Sequence, residues 1–268
     1  MEPDYEEKGI KAYLGDCLEV MPYIEDNLVD LTITSPPYDN LRTYENDLVW
    51  NWGVFTNIAK ELYRVTKKGG VVVWVVGDAT IKGSETGTSF KQALFLKELG
   101  FNIHDTMIYQ KSQACFGSNN CYLQSFEYMF IFSKGKPSSL NLIRDRKNVR
   151  SGSESMSKQG LSANGIKSKR IKREMNEYGK RKNIWEYGVG GGDTGHPAPF
   201  PENLARDHII SWSNEGDTVL DPMMGSGTTG KMAKILKRKF IGIEKVPKYF
   251  GISTERIQNT KVQGVLNL

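Results

Sequence analysis

Residues 219–230 have the sequence VLDPMMGSGTTG, which is a short apolar run, an acid with a proline, and a turn whose glycines are spaced as GxGxxG. One helix length later, residues 240–244 (FIGIE) form another apolar run that ends in an acid. Glycine lets a backbone approach a ligand closely, and an acid after the second strand can accept hydrogen bonds from both hydroxyls of a ribose. The pattern therefore predicts a strand, a glycine-rich turn and a helix that bind a nucleoside-containing cofactor.

The same glycines also match the fingerprint of dinucleotide-binding enzymes, so a nicotinamide-dependent oxidoreductase is an alternative interpretation. Asp221 and Pro222, which directly precede the glycines, are not part of that fingerprint. A carboxylate at this position favours a ligand with a positive charge. The turn by itself leaves both classes of cofactor open.

A second, rigid turn follows an earlier apolar run. Residues 29–38 read VDLTITSPPY, which is typical of a buried strand that ends in Ser-Pro-Pro-Tyr. Proline cannot donate to a sheet, so the two prolines fix a turn at the carboxyl end of the strand, where ligands bind in open α/β sheets. The Ser35 hydroxyl and the Pro36 carbonyl are acceptors, and the Tyr38 ring is a stacking face. This set predicts a site for a planar base that carries an amino group.

The two turns together resemble the motifs of the DNA methyltransferases that methylate exocyclic amines. Residues 34–38 (TSPPY) match the catalytic motif (D/N/S)PP(Y/F/W), and residues 224–227 (MGSG) match the cofactor motif FxGxG with methionine in place of phenylalanine. The catalytic motif comes first, as in the circularly permuted β class of that family. The resemblance implies S-adenosylmethionine as cofactor. It also implies an α/β, Rossmann-like methyltransferase fold with a mostly parallel twisted sheet, circularly permuted, with an inserted basic target-recognition region.

Further stretches match cofactor elements of the family. Asp16 in GDCL (15–18) resembles an acid that meets the adenine, and Glu244 matches the acid that binds the ribose. GHPAPFP (195–201) resembles an element that covers the methionine end. The cofactor-binding residues implied by the resemblance are Asp16, Thr34, His196, Pro199, Phe200, Asp221, Pro222, Met224, Gly225, Ser226, Gly227, Thr228 and Glu244. No metal site is expected.

The catalytic residues implied by the resemblance are Ser35, Pro36, Pro37 and Tyr38. If the Ser35 hydroxyl and the Pro36 carbonyl each accept an N–H of the target amine, its lone pair is freed to attack a methyl group that already sits on a sulfonium. The nitrogen is unreachable inside a duplex, so the base is expected to flip out and stack on Tyr38. Serine at the first motif position usually accompanies methylation of cytosine N4, which is the expected reaction; adenine N6 is the alternative.

Positive charge is concentrated in one segment. Residues 144–182 contain thirteen Lys/Arg and four Asp/Glu in a chain of net charge +5, which leaves the rest of the chain slightly acidic. This distribution is typical of a polyanion-binding insertion, although a solvated surface loop would have the same composition. The family keeps its target-recognition region here. The residues expected to bind DNA are Arg144, Arg146, Lys147, Lys167, Lys169, Arg170, Lys172, Arg173, Lys180 and Arg181.

The order of the apolar runs predicts strands that alternate with helices. Strands are expected at 29–34, 71–76, 101–110, 124–133, 218–220 and 240–244, and helices at 51–66, 88–99, 201–212 and 228–237. Residues 67–70 (KKGG) are expected to end the first helix. The expected division is 1–133 (catalytic half), 134–185 (target-recognition insertion) and 186–268 (cofactor-binding half).

Length and composition restrict the domain organisation, the cellular compartment and the partners that are expected. The 268 residues, 38% of them hydrophobic, suit one domain with a sizeable insertion. The N-terminus is acidic without an apolar signal segment, no run is long enough for a membrane helix, and an odd number of cysteines argues against a disulfide framework. A cytoplasmic protein with double-stranded DNA as its partner is expected. A cognate restriction endonuclease and a homodimer stay open as further partners, and no membrane partner is expected.

Overall fold

The computed structural model describes residues 1–37, 50–113, 122–149, 154–156, 172–174, 176–189 and 201–261, with backbone only for 154–156 and 172–174. The chain forms two compact units. The larger unit comprises Met1–Asn141 and Asn183–Leu268, and the smaller unit comprises Leu142–Lys182. The smaller unit is therefore an insertion in the sequence of the larger one.

The described residues form fifteen strands and six α-helices. The strands are β1 (Tyr5–Glu7), β2 (Ile10–Leu14), β3 (Val29–Thr34), β4 (Thr66–Val76), β5 (Thr80–Ile81), β6 (Ser84–Glu85), β7 (Asn102–Lys111), β8 (Phe126–Ser133), β9 (Arg146–Lys147), β10 (Glu154–Met156), β11 (Lys172–Glu174), β12 (Tyr178–Gly179), β13 (Ile184–Tyr187), β14 (Thr218–Asp221) and β15 (Lys239–Glu244). The helices are α1 (Cys17–Val20), α2 (Trp52–Val65), α3 (Thr88–Glu98), α4 (Glu202–Trp212), α5 (Thr228–Ile235) and α6 (Pro247–Gln258), and Met21–Tyr23 form a 3₁₀ turn. Within the described part of the chain, no helix combines the length and the apolar character that crossing a membrane requires.

Nine strands of the larger unit form one sheet in the order β1-β2-β15-β14-β3-β4-β8-β7-β13. The five strands from β2 to β4 in this order are parallel to one another, whereas β1 runs antiparallel to β2, and β8 runs antiparallel to both β4 and β7. This mostly parallel α/β sheet confirms the fold class expected from the sequence. β14, which enters the glycine-rich turn, pairs directly with β3, which enters the Ser-Pro-Pro turn, although the two strands are far apart in the chain.

The central strands are apolar on both faces because both faces are covered. Val29, Leu31 and Ile33 of β3 are fully buried, and all residues from 71 to 76 in β4 are buried. α2 covers one face with an apolar stripe that includes Leu62. Strands buried in this way are typical of parallel sheets, in which helices pack on each side.

The expectation that residues 67–70 end the first helix is wrong. α2 ends at Val65, and Thr66 already begins β4. A Cβ on Gly70 would lie 3.0 Å from the carbonyl oxygen of Val29. This glycine therefore allows two strands to approach closely, and it is not a helix cap.

The smaller unit contains two antiparallel ribbons. β9 pairs with β12, with Lys147 opposite Tyr178, and β10 pairs with β11. Tyr178 and Val149 are exposed. An isolated two-stranded ribbon buries little apolar surface, and the β9–β12 ribbon presents most of its side chains to solvent.

Candidate active site

The two predicted turns lie at the same edge of the sheet. β3 and β14 are parallel neighbours, with Thr32 opposite Leu220. Asp221 is the last residue of β14, and Ser35 is the first residue after β3. The neighbouring parallel strands β2 and β15 also end at this edge. The carboxyl edge of a parallel sheet is the usual place for a ligand, and here it brings the two motifs together.

The glycine-rich turn is held by hydrogen bonds from its own backbone. The Gly225 N–H donates to Glu244 Oε2 (2.8 Å), and the Gly227 N–H donates to the Met224 carbonyl (2.8 Å). Gly227 has a φ of 75°, and a Cβ there would lie 2.7 Å from the Cβ of Ser253 on α6. Only glycine combines this left-handed backbone with so close a contact. Glycine at position 227 therefore allows the turn to pack closely against α6.

Two buried carboxylates lie beside this turn. Asp221 is 5% exposed and Glu244 is 8% exposed, and Glu244 Oε1 accepts a hydrogen bond from the Val246 N–H (2.8 Å). Burial raises the pKa of Asp221 to about 6, against the opposing effect of the nearby Thr229 and Thr34 hydroxyls. Burial also raises the pKa of Glu244. Desolvated carboxylates at one edge favour a ligand that brings a positive charge or hydrogen-bond donors.

β3 ends with a buried hydroxyl for which the described residues provide no hydrogen bond of normal geometry. Thr34 Oγ1 lies close enough to Asp221 to affect its pKa but makes no hydrogen bond of normal geometry. Leaving a buried hydroxyl unsatisfied costs about 1–3 kcal/mol, which a ligand at this edge could recover. The residues that follow are partly exposed Ser35, buried Pro36 and partly exposed Pro37.

These features fit the cofactor that the resemblance implies. S-adenosylmethionine combines a nucleoside with a sulfonium and an amino group, so the two desolvated carboxylates suit its charges and hydroxyls. The Thr34 hydroxyl offers one further hydrogen bond. Among the residues that the structure describes, no group of three or more His, Cys, Asp or Glu is placed to hold a metal ion.

The other predicted cofactor residues differ in their burial and in the contacts that they already make. Asp16 caps α1 by accepting from the Leu18 N–H (2.9 Å) and pairs with Lys245 (2.9 Å), so each of its carboxylate oxygens already has one partner, as in Glu244. Met224 is buried, and a Cβ on Gly242 would lie 2.4 Å from its sulfur, so this side chain packs against the backbone of β15. Pro222, Ser226 and Thr228 are buried in the turn and at the start of α5. Tyr38, His196, Pro199 and Phe200 lie outside the described residues.

The predicted DNA-binding residues fall into groups. Arg181 pairs with Asp145, and Arg146 donates to the Lys180 carbonyl (3.2 Å), so both arginines brace the β9–β12 ribbon. Arg144, Lys147 and Lys180 are exposed. Lys172 and Arg173 belong to β11, of which only the backbone is described. Lys167, Lys169 and Arg170 lie outside the described residues.

A network behind the glycine-rich turn was not predicted from the sequence. Arg256 of α6 donates to the Ser226 carbonyl (2.5 Å) and to Glu202 Oε1 (3.0 Å). Lys231 of α5 donates to the same Glu202 oxygen (2.6 Å). Proline at the first position of α6, Pro247, is a local signal that could have predicted this helix. The partners of the arginine, however, come from two other parts of the sequence, residue 202 and the glycine-rich turn.

Comparison with known proteins gives the same family as the resemblance drawn from the sequence motifs. The family model described as DNA methylase, of the N6/N4 type, matches residues 29–255. The orphan methyltransferase M.BamHII of Bacillus amyloliquefaciens is 52% identical over 259 residues, which cover 93% of this chain and 92% of that protein.

Two solved structures have a similar fold. The PvuII DNA methyltransferase (cytosine-N4-specific) aligns with a TM-score of 0.72 and 21% identity over 98% of this chain and 91% of that one. The complex of M1.HpyAVI with SAM aligns with a TM-score of 0.62 and 25% identity over 92% of this chain and 98% of that one. The resemblance drawn from the two turns is confirmed, and the oxidoreductase interpretation is set aside. The chain belongs to the DNA methylase family of the N6/N4 class.

Proposed function

We propose that this protein transfers a methyl group from S-adenosylmethionine to the exocyclic N4 of a cytosine that is flipped out of a specific duplex DNA sequence. S-adenosylmethionine is the methyl donor. The proposal rests on one observation above all, the parallel pairing of β3 with β14. Because of that pairing, the turn with the amine acceptors and the turn with the buried carboxylates leave the sheet side by side. Methyl transfer needs its two reactants held in line, and such positioning supplies much of the catalysis.

The residues of the chain bind and orient the target base and the methyl donor, and they polarise the target amine. The Ser35 hydroxyl and the Pro36 carbonyl accept the two N–H groups of the target amine and favour a pyramidal nitrogen with a free lone pair. The donor supplies a methyl group on a sulfonium, so the protein needs no nucleophile of its own. Asp221 favours the positive charge of the donor, and Glu244 accepts hydrogen bonds from the ribose hydroxyls.

Cytosine N4 is the favoured target because serine occupies the first position of the catalytic motif. The PvuII enzyme with a similar fold carries the name cytosine-N4-specific. Adenine N6 is the second candidate, since the matching family model covers both N6 and N4 enzymes.

We assign recognition of the DNA sequence to the basic insertion, residues 134–185, between a catalytic half (1–133) and a cofactor-binding half (186–268). The exposed Arg144, Lys147 and Lys180 support this assignment, because exposed cations are available to bind phosphates. A two-stranded ribbon such as β9–β12 also has the dimensions to enter a major groove.

Tritiated methyl transfer to unmodified DNA, followed by nucleoside analysis, tests the reaction. The expected product is N4-methylcytosine. Label in N6-methyladenine would select the second candidate. A protein that binds S-adenosylmethionine but methylates no DNA would contradict the proposal.

The Tyr38→Ala variant tests the acceptor turn. We expect a loss of methyl transfer of about 10- to 100-fold with little change in the affinity for S-adenosylmethionine, because the ring would stack on the base and not on the donor. Tyr23→Ala is the matched control, since Tyr23 is 65% exposed on the 3₁₀ turn after α1. Equal activity of the two variants would remove the stacking role.

A further inference from the structure

Three charged side chains join separate elements behind the glycine-rich turn. Arg256 lies in α6, Glu202 begins α4, and Lys231 lies in α5. Glu202 Oε1 accepts from Arg256 Nη2 (3.0 Å) and from Lys231 Nζ (2.6 Å). Arg256 Nη1 donates to the Ser226 carbonyl (2.5 Å) and is 3.4 Å from Thr228 Oγ1. One guanidinium therefore ties three helices to the turn.

The contact with Arg256 completes the restraint on one peptide group. The peptide between Ser226 and Gly227 gives its carbonyl to Arg256 and its N–H to the Met224 carbonyl (2.8 Å). A peptide that is bonded at both ends cannot rotate without losing a hydrogen bond. These two hydrogen bonds restrain the peptide in the orientation that gives Gly227 its left-handed conformation (φ 75°).

We propose that Arg256, held in place by Glu202, is a positioning residue that preorganises the glycine-rich turn for S-adenosylmethionine. The inference rests on the proposed function, because it concerns the binding of the same donor. Arginine suits the role, since its planar fork can serve a carbonyl and a carboxylate together, which a lysine ammonium does less well. The side chain of Glu202 is 41% exposed, so this ion pair adds little to global stability. Its effect is therefore local to the turn.

Calorimetry on Arg256→Gln tests the proposal. We expect binding of S-adenosylmethionine to weaken about tenfold, because the donor must then order the turn itself. S-adenosylhomocysteine should lose affinity to the same extent, since the turn is ordered regardless of the transferred methyl group. In steady-state assays the KM for the donor should rise, while the KM for DNA and kcat at saturating donor stay near those of the wild type. Arg256→Lys should recover part of the donor affinity.

Lys234→Gln is the matched control. Lys234 lies in α5, its side chain is 12% exposed, and it pairs with Glu7 (2.9 Å) and with the Ile257 carbonyl of α6 (2.7 Å). The control should lower the melting temperature and leave donor affinity unchanged, because the Lys234 ammonium donates to Glu7, Ile257 and Gln258 and not to the turn. An Arg256→Gln variant with the donor affinity of the wild type, or with no greater loss than the control, would overturn the inference.

Two further results keep the test decisive. If Arg256→Gln does not fold, Glu202→Gln gives the same comparison, because it keeps an oxygen acceptor and removes only the charge. Its expected loss of donor affinity is about threefold, and no loss would overturn the inference. A wild-type protein that binds no S-adenosylmethionine would instead contradict the proposed function, which separates the two failures.

Discussion

The glycine-rich turn at residues 221–227 and the basic ribbon β9–β12 are built in opposite ways. In the turn, backbone amides are engaged and the adjacent carboxylates, Asp221 and Glu244, are buried. In the ribbon, Lys147 and Tyr178 face each other on exposed strands. The turn is restrained by hydrogen bonds within the protein, whereas the ribbon presents exposed cations such as Lys147 that are available to a partner. A donor that is the same in every reaction suits the first design, and a DNA sequence that differs between enzymes suits the second.

This difference has a measurable consequence. A buried charge lowers the stability of the native protein, whereas an exposed charge has almost no effect on it. Substitutions in the turn should therefore change both stability and donor affinity. Substitutions in the ribbon should change only DNA affinity and its dependence on salt.

The largest effect is expected from Asp221→Asn. Donor affinity should fall about 10- to 100-fold, because a charge-assisted contact to a cationic ligand is lost. The stability of the unliganded protein should rise. Burial raises the pKa of Asp221 from 3.8 to about 6, so the ionised acid destabilises the fold at pH 7 by about 1–3 kcal/mol. That penalty develops as pH rises from 3.8 through 6, so the gain in melting temperature should be present at pH 7 and vanish near pH 4.

Asp30→Asn is the control with the same chemical change. Asp30 lies at the other end of β3, where it pairs with Lys67 (2.7 Å) and accepts from the Thr218 N–H (2.9 Å). Its loss should lower stability and leave donor affinity intact. If both variants shift stability in the same direction, Asp221 is not held in a destabilising environment.

Local sequence signals predicted the parallel core and the glycine-rich turn. Residues 29–34 form a strand at the predicted bounds, because a short apolar run next to a proline-fixed turn has few alternatives. Non-local pairings gave no such signal. β13 (Ile184–Tyr187) joins the sheet beside β7. Its side chains alternate between exposed and buried, as in many strands, and no feature of those four residues identifies β7 as the partner strand.

Only part of the candidate site could be predicted from the sequence. Asp221 and Glu244 were identifiable because each ends an apolar run, and the register of the sheet brings such ends to one edge. Arg256 was not, since a single arginine in the last turn of a helix is most often an ordinary charge at a C-terminus. Only the tertiary structure gives its contact with the Ser226 carbonyl.

A smaller effect is expected from pH. Donor affinity should be constant above pH 7 and fall by up to tenfold per unit well below pH 6, because the protonated Asp221 no longer attracts a cation. Burial raises the pKa of Glu244 too, so its protonation adds to the loss at lower pH. Calorimetric titrations between pH 5 and 8 measure the profile, and Asp221→Asn should flatten it near pH 6. Identical profiles for wild type and variant would assign the titration to another group.

The smallest effect is expected from Lys147→Ala in the ribbon. DNA affinity should weaken a few-fold at low salt and nearly equally for all sequences, and the slope of log K against log salt should become shallower by about 1, as for one lost phosphate contact. Donor affinity and melting temperature should not change, because the Lys147 side chain is exposed. Lys97→Ala, which removes an exposed lysine at the end of α3 in the larger unit, is the control and should leave the salt slope unaltered. An unaltered slope in Lys147→Ala would mean that the ribbon is a solvated surface element without a role in DNA binding. The glycine-rich turn would then be the only binding site in this comparison.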